Sequence, residues 1–212
     1  MNITRFPVNP FVVMTYILWT GDGGEAAIVD PGMMRDKERE MIAHFIDEHQ
    51  LKVKHILLSH IHIDHVSAAK WMAQTYSAPI EGNVADESLI ASLPMQAAFF
   101  HLNIDMSPFT INKNLCDGDS IMLGDEEIKV LETPGHSLGS LSFYLPQSGF
   151  VVTGDALFQG SIGRTDLPGG DFNTLINSIK QKLLTLPQET VVYPGHGDET
   201  TIGDEERYNQ YL

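Results

Sequence analysis

The chain has 212 residues, 42% hydrophobic and 19% charged, and no apolar run reaches the roughly 20 residues that a bilayer span requires. With 13 basic against 28 acidic residues the formal charge is −15, a field that repels a phosphate backbone and sets nucleic acid and membrane aside as partners. A single cysteine, Cys116, excludes an internal disulfide, fits a reducing cytoplasmic compartment, and reads as an ordinary turn thiol in NLCDGD.

No Pro/Gly/Ser-rich or highly charged linker divides the chain, so residues 1–212 read as one domain. The N-terminal MNITRFPVNPFVVMTYILW has early prolines and no small-residue cleavage site, and reads as strands rather than a secretory signal. EAAIVD follows as another strand. A helix is predicted from Asp36 to His49, with Met41, Ile42, Phe45 and Ile46 on one stripe. The strand HILLS at 55–59 leads into a second helix, where Ala69, Met72, Ala73 and Tyr76 keep the helical period. Residues 83–110 predict one or two short helices broken by Pro94. Strands resume at SIML, EIKVLE, LSFYL and FVVTG. A last helix from Phe172 to Leu186 has Asp171 as its N-cap and Pro187 as its stop, and TVVY closes the core. Short strands and helices in this mixed order predict sheet packed on sheet, with helices outside.

SHIHIDHV, residues 59–66, crowds His60, His62, Asp64 and His65 into a strand-to-helix junction. Four polar groups so close have no inexpensive structural use, whereas each is a good ligand for zinc, iron or manganese. Twice more an apolar strand runs into Pro-Gly and a histidine: VLETPGH ends at His136 and VVYPGH at His196. A lone histidine at a strand end is ordinary structure, and these two gain weight from the cluster. VVTGDALF adds Asp155 at a further strand end. The set exceeds one ion's needs, so the expected partition is His60, His62 and His136 on one metal and Asp64, His65 and His196 on a second. Asp155 then bridges the two, as in two-metal hydrolases. His44, His49, His55 and His101 are assigned to surfaces or helix faces, and the acidic run GDETTIGDEERY to a solvated face.

Taken in order, Asp30 in the DPG turn, H-x-H-x-D-H at 60–65, TPGHS with His136, GD with Asp155 and PGHG with His196 resemble the metallo-β-lactamase fold superfamily over nearly the whole chain. Asp155 stands where metallo-β-lactamases proper usually carry cysteine, which puts the likeness on the glyoxalase II side. GDALFQGSIGRTDLPGGD and GHGDETTIGDEERYNQYL are similar to short bacterial hydroxyacylglutathione hydrolase-like proteins. The resemblance implies an α/β fold, the four-layer αβ/βα sandwich of two mixed sheets flanked by helices. It implies two divalent metals, zinc first with iron or manganese as alternatives, and a bridging hydroxide that attacks a small-molecule thioester such as S-lactoylglutathione. Asp64 would orient that nucleophile as well as ligate, and Asp30 would support the ligands through hydrogen bonds.

A thiol leaves at neutral pH without a dedicated proton donor, its reference pKa being about 8.5, which favours thioesters over amides. The likeness departs from glyoxalase II in lacking its basic C-terminal helical extension: after His196 the sole Lys or Arg is Arg207, so glutathione recognition is not implied. Arg164 in GRTD either contacts substrate or ties its loop to Asp166, the reading preferred here. GRTD is also similar to persulfide dioxygenases of the superfamily, in which His60, His136 and Asp155 would hold one iron. A lactonase or other ester hydrolase on the same site is a further alternative.

Overall fold

The computed structural model describes residues 1–212 and stacks two six-stranded sheets face to face. The first sheet runs β1 (Asn2–Val8), β2 (Val13–Trp19), β3 (Glu25–Val29), β4 (Lys52–Leu57), β5 (Ile80–Gly82), β6 (Lys113–Asn114). It is antiparallel as far as β3 and parallel from β3 onward. The second is ordered β14 (Thr200–Thr201), β13 (Val191–Pro194), β10 (Phe150–Gly154), β9 (Leu141–Leu145), β8 (Glu126–Glu132), β7 (Ser120–Leu123), antiparallel except where β10 meets β13. A small hairpin, β11 (Leu157–Phe158) and β12 (Ser161–Ile162), stands apart.

The period of two along each strand sorts side chains into three apolar layers. In β2, Met14, Tyr16 and Leu18 point toward the other sheet, meeting Ile128, Val130, Phe143 and Val152. Val13 and Ile17 point the opposite way, into a layer shared with Ile42 and Ile46 of α1 (Asp36–Glu48), Met72 of α3 (Ala69–Tyr76) and Leu93 of α5 (Leu93–Phe99). Val151 of β10 and Val192 of β13 pack outward against Leu175 of α6 (Phe172–Ser178), Ile179, Leu183, and Ile202 of α7 (Ile202–Tyr208). The order is therefore α, β, β, α. Each such Ile, Leu or Phe contributes about 1.5–3 kcal/mol by leaving water, and a sheet buried on both faces accounts for β2 being apolar almost throughout.

Four local expectations need correction. Pro94 does not break a helix but begins one, occupying the first turn of α5 where its missing N–H costs nothing. The last helix is α-helical only to Ser178 and continues as a π-helical turn, Ile179–Leu183, which keeps Leu183 on the core side. His55 is not on a surface: it lies half-buried on β4 with Nδ1 against buried Glu81, whose other oxygen is 3.1 Å from Lys113 Nζ. The acidic C-terminal run is not all solvated, because Glu205 is 3% exposed and accepts from Gly160 N, Thr200 Oγ1 and Asn209 Nδ2.

β3, β4, β8, β10 and β13 all end at the same edge of the sandwich, and each is followed by polar residues of the motifs above. α2 (Ile63–Val66) begins there, carrying Asp64 and His65, while α4 (Glu87–Ile90) follows β5.

Candidate metal centre

The edge gathers residues from five chain segments. Asp30 follows β3 in a left-handed conformation (φ 51°), stabilised by Thr15 Oγ1 donating to its carbonyl at 2.7 Å. Ser59 to His65 follow β4, His136 lies in the turn after β8, Asp155 follows β10, and His196 follows β13. Glycines make these approaches possible. Gly154 takes φ 50° directly under Ser59 Oγ, and a Cβ at Gly195 would overlap the Asp155 carboxylate.

Three imidazole nitrogens converge on one side: His62 Nδ1 is 2.9 Å from His136 Nε2, which is 3.2 Å from His60 Nε2. One proton can bridge a pair of them but not the trio. On the other side Asp64 Oδ2 is 3.3 Å from His196 Nε2 and 3.7 Å from His65 Nε2. Asp155 faces both groups, with Oδ1 3.4 Å from His65 Nε2 and Oδ2 3.6 and 3.7 Å from His136 and His196 Nε2. All seven residues expected from the sequence are brought together.

The remaining ring nitrogens explain why the lone pairs point inward. His65 Nδ1 donates to Asp30 Oδ2 at 2.9 Å, His136 Nδ1 to the Arg164 carbonyl at 2.8 Å, and His196 Nδ1 to the Phe11 carbonyl at 3.1 Å. His60 Nδ1 donates to Ser59 Oγ at 3.0 Å, and that hydroxyl donates to Asp30 Oδ2 at 2.6 Å. Each of these four rings thus has Nδ1 engaged by the protein and Nε2 turned toward the centre, where a cation can take the place of a proton, the usual way a protein orients a metal-binding histidine. Arg164 takes part through its main chain; its guanidinium is exposed and doubly hydrogen-bonded to Asp166, at 2.7 and 2.8 Å.

The centre fits divalent cations. His65 Nε2 and Asp155 Oδ1 are buried without a hydrogen-bond partner, and ligand atoms around a tetrahedral zinc stand about 3.4 Å apart, close to the separations seen in both groups. The two halves are electrostatically unlike. Burial, then the neighbouring imidazoles, pushes His60 well down and His62 down to about 4, so both rings stay neutral. Burial also disfavours charge on His65, but Asp155 and Asp64 outweigh it and pull that ring up. Asp155 itself lies below the usual carboxylate range, burial being overcome by His65, His196 and His136.

His62 gives a pH prediction. An unfolded histidine titrates near 6.5, so as pH falls from there toward about 4 the unfolded chain binds a proton that the folded ring refuses, and stability drops. For chelator-treated protein this contributes a loss on the order of 2 kcal/mol between pH 7 and pH 5. Denaturant titrations should show His62→Gln losing that part of the slope; an unchanged slope contradicts a depressed His62.

Sequence reasoning missed the supports of this site. Asn9 Nδ2 donates to the carbonyls of Gly32 and Asp64, at 2.8 and 2.9 Å, and buried Asp86 joins two ligand loops. Neither residue lies in a motif whose spacing betrays it.

Site and fold define a two-sheet α/β sandwich with a candidate metal centre at one edge. The profile of the metallo-beta-lactamase superfamily matches residues 8–196, and the chain belongs to that superfamily. Hydroxyacylglutathione hydrolase GloC of Haemophilus influenzae is 41% identical, over 100% of this chain and 98% of the relative. Among solved structures, BLEG-1 B3 metallo-beta-lactamase is 36% identical with a TM-score of 0.88, covering 100% and 99% of the two chains. TTHA1623, solved in a di-iron-bound form, is 35% identical with a TM-score of 0.86 over 99% and 100%. ETHE1 from Myxococcus xanthus is 28% identical with a TM-score of 0.81, over 99% of this chain and 84% of that one.

Proposed function

We propose that this protein is a dinuclear metal-dependent hydrolase of small thioesters resembling S-lactoylglutathione, acting in the cytoplasm. The observation that carries the reading is the pairing of two ligand trios across one carboxylate: His60, His62 and His136 on one side, Asp64, His65 and His196 on the other, with Asp155 between. The full-length likeness to GloC supports the substrate class. The metals are most simply zinc; the di-iron form of TTHA1623 keeps iron as an alternative.

Two divalent cations held by these residues would supply Lewis acidity toward an acyl oxygen and a water acidic enough to ionise near neutral pH. The chain supplies position and charge. Asp64 is held below the usual carboxylate range because His65 and His196 outweigh its burial, so at neutral pH its carboxylate is ionised and accepts a hydrogen bond from an attacking water. His62 and His196 are only half-buried and mark the open side, where substrate arrives. The site's imidazoles and carboxylates are committed as ligands, which suits a thiolate that departs unprotonated better than an amine.

Metal analysis of protein produced in zinc- and iron-defined media, coupled to assays with S-lactoylglutathione, simple acyl thioesters, lactones and a β-lactam, tests the reading. The expected result is two cations per chain and thioester turnover well above that of the amide substrate. The likeness to ETHE1 favours one rival, a mononuclear-iron persulfide dioxygenase using His60, His136 and Asp155. One iron per chain with rapid oxygen uptake on glutathione persulfide would establish it instead.

A further inference from the structure

Asp86 closes the 3-10 turn Val84–Asp86 after β5, and it is only 2% exposed. No cation pairs with it. Its Oδ2 accepts the backbone N–H of Ile61 at 3.3 Å and the Ser137 hydroxyl at 2.6 Å, while Oδ1 accepts the backbone N–H of Gly139 at 2.7 Å. Ile61 stands between His60 and His62, and Ser137 directly follows His136. The carboxylate therefore spans the two loops that deliver the three converging imidazoles. Gly139 is shaped around this contact, since a Cβ there would lie 2.9 Å from Asp86 Cγ.

Burying a carboxyl group with no cation beside it is costly, and its hydrogen bonds offset that cost only in part. An apolar side chain would fill the space at lower cost. What the carboxylate adds is registration: three donors from two loops, each satisfied only when the loops keep one relative position. Ser137 is itself fixed, its hydroxyl lying 2.7 Å from Ser140 Oγ and its N–H donating to that oxygen at 3.1 Å. The other half of the centre is held from elsewhere, by Asn9 on the Asp64 carbonyl and the Phe11 carbonyl on His196.

We infer that Asp86 is a positioning residue for the three-histidine half of the centre, locking the segment of His60 and His62 to that of His136 so that their ring nitrogens stay at chelating separation. The inference rests on the metal-binding reading above, and predicts a defect confined to one of two cation-binding steps. In Asp86→Asn the amide oxygen still accepts from Gly139, but the amide nitrogen cannot accept from Ile61 or Ser137. Asp86→Ala loses all three bonds, and Ser137→Ala loses one.

The test is stepwise Zn²⁺ affinity of the full-length chain, by competition with a chromophoric chelator, together with visible absorption of the Co²⁺-loaded protein. Wild type is expected to take two equivalents. Asp86→Ala should retain one within about twofold of wild-type affinity and bind the other at least tenfold more weakly, with a changed Co²⁺ spectrum; Asp86→Asn and Ser137→Ala should weaken the same step by smaller factors. Equal weakening of both steps, or a lower melting temperature with both affinities unchanged, overturns the inference. If Asp86→Ala does not fold, unchanged stepwise affinities in the other two variants overturn it equally. If wild type takes a single cation, the dinuclear reading fails, and the present inference stands only if Asp86→Asn weakens that one site, which must include His60 and His136. No cation in wild type defeats both.

Discussion

Asp155→Ala is expected to abolish hydrolysis and to remove at least one bound cation. Its two oxygens lie between the groups, Oδ1 toward His65 and Oδ2 toward His136 and His196, so its carboxylate faces both. Removing it takes away one negative charge on which His65 and His196 both depend, and leaves His65 Nε2 without its nearest carboxylate oxygen. A loss of at least about 10³ in kcat, roughly 4 kcal/mol of transition-state stabilisation, is the expected scale for a group on which the reacting centre is built. Asp155→Asn, which keeps the shape and drops the charge, separates packing from electrostatics and should share most of the defect. Full activity with two retained cations in the alanine variant refutes the bridging assignment.

The second large effect falls on Asp30, a buried residue behind the ligand side chains. It is 1% exposed and accepts from Ser59 N at 2.7 Å, Ser59 Oγ at 2.6 Å and His65 Nδ1 at 2.9 Å. Asp30→Ala strands three buried donors and is expected to cost about 3–5 kcal/mol in denaturant unfolding. Asp30→Asn is more informative, because asparagine tolerates the left-handed backbone at this position. Its amide oxygen must face the Ser59 N–H, which turns the NH₂ toward His65 Nδ1. That ring then accepts at Nδ1 and carries its proton on Nε2, pointing into the centre. The asparagine variant should therefore fold with a modest loss of stability yet bind about one cation fewer than wild type. Two cations bound with wild-type affinity would show that Asp30 does not set the tautomer of His65.

Much of the candidate centre is legible in the sequence because its polar residues sit where the chain announces them. H-x-H-x-D-H follows an apolar strand, and Pro-Gly or Gly alone precedes His136, His196 and Asp155, since a strand that must turn sharply at a sheet edge needs those residues there. The two-sheet core was readable from apolar runs such as VMTYILW and FVVTG. Other features were not. Pro94 signals both the end and the beginning of a helix, and only the packing of Leu93 and Ala97 decides between them. His55 looked unaccompanied because its partner, Glu81, comes from the neighbouring strand β5. Glu205 looked solvated in an acidic run because its donors, Gly160 and Thr200, belong to other turns.

The sequence by itself determined which residues are candidate ligands and which elements carry them: ligand chemistry and local turn chemistry depend on residue type and short-range spacing. Only the tertiary structure decided which ring nitrogen each presents, and that Asp86, a residue without a motif, ties His60 and His62 to His136. The physical reason is that tautomers and loop registration are set by buried hydrogen bonds to groups distant in sequence, such as Asp30 to His65 and the Phe11 carbonyl to His196. Those partners meet only once the two sheets have packed.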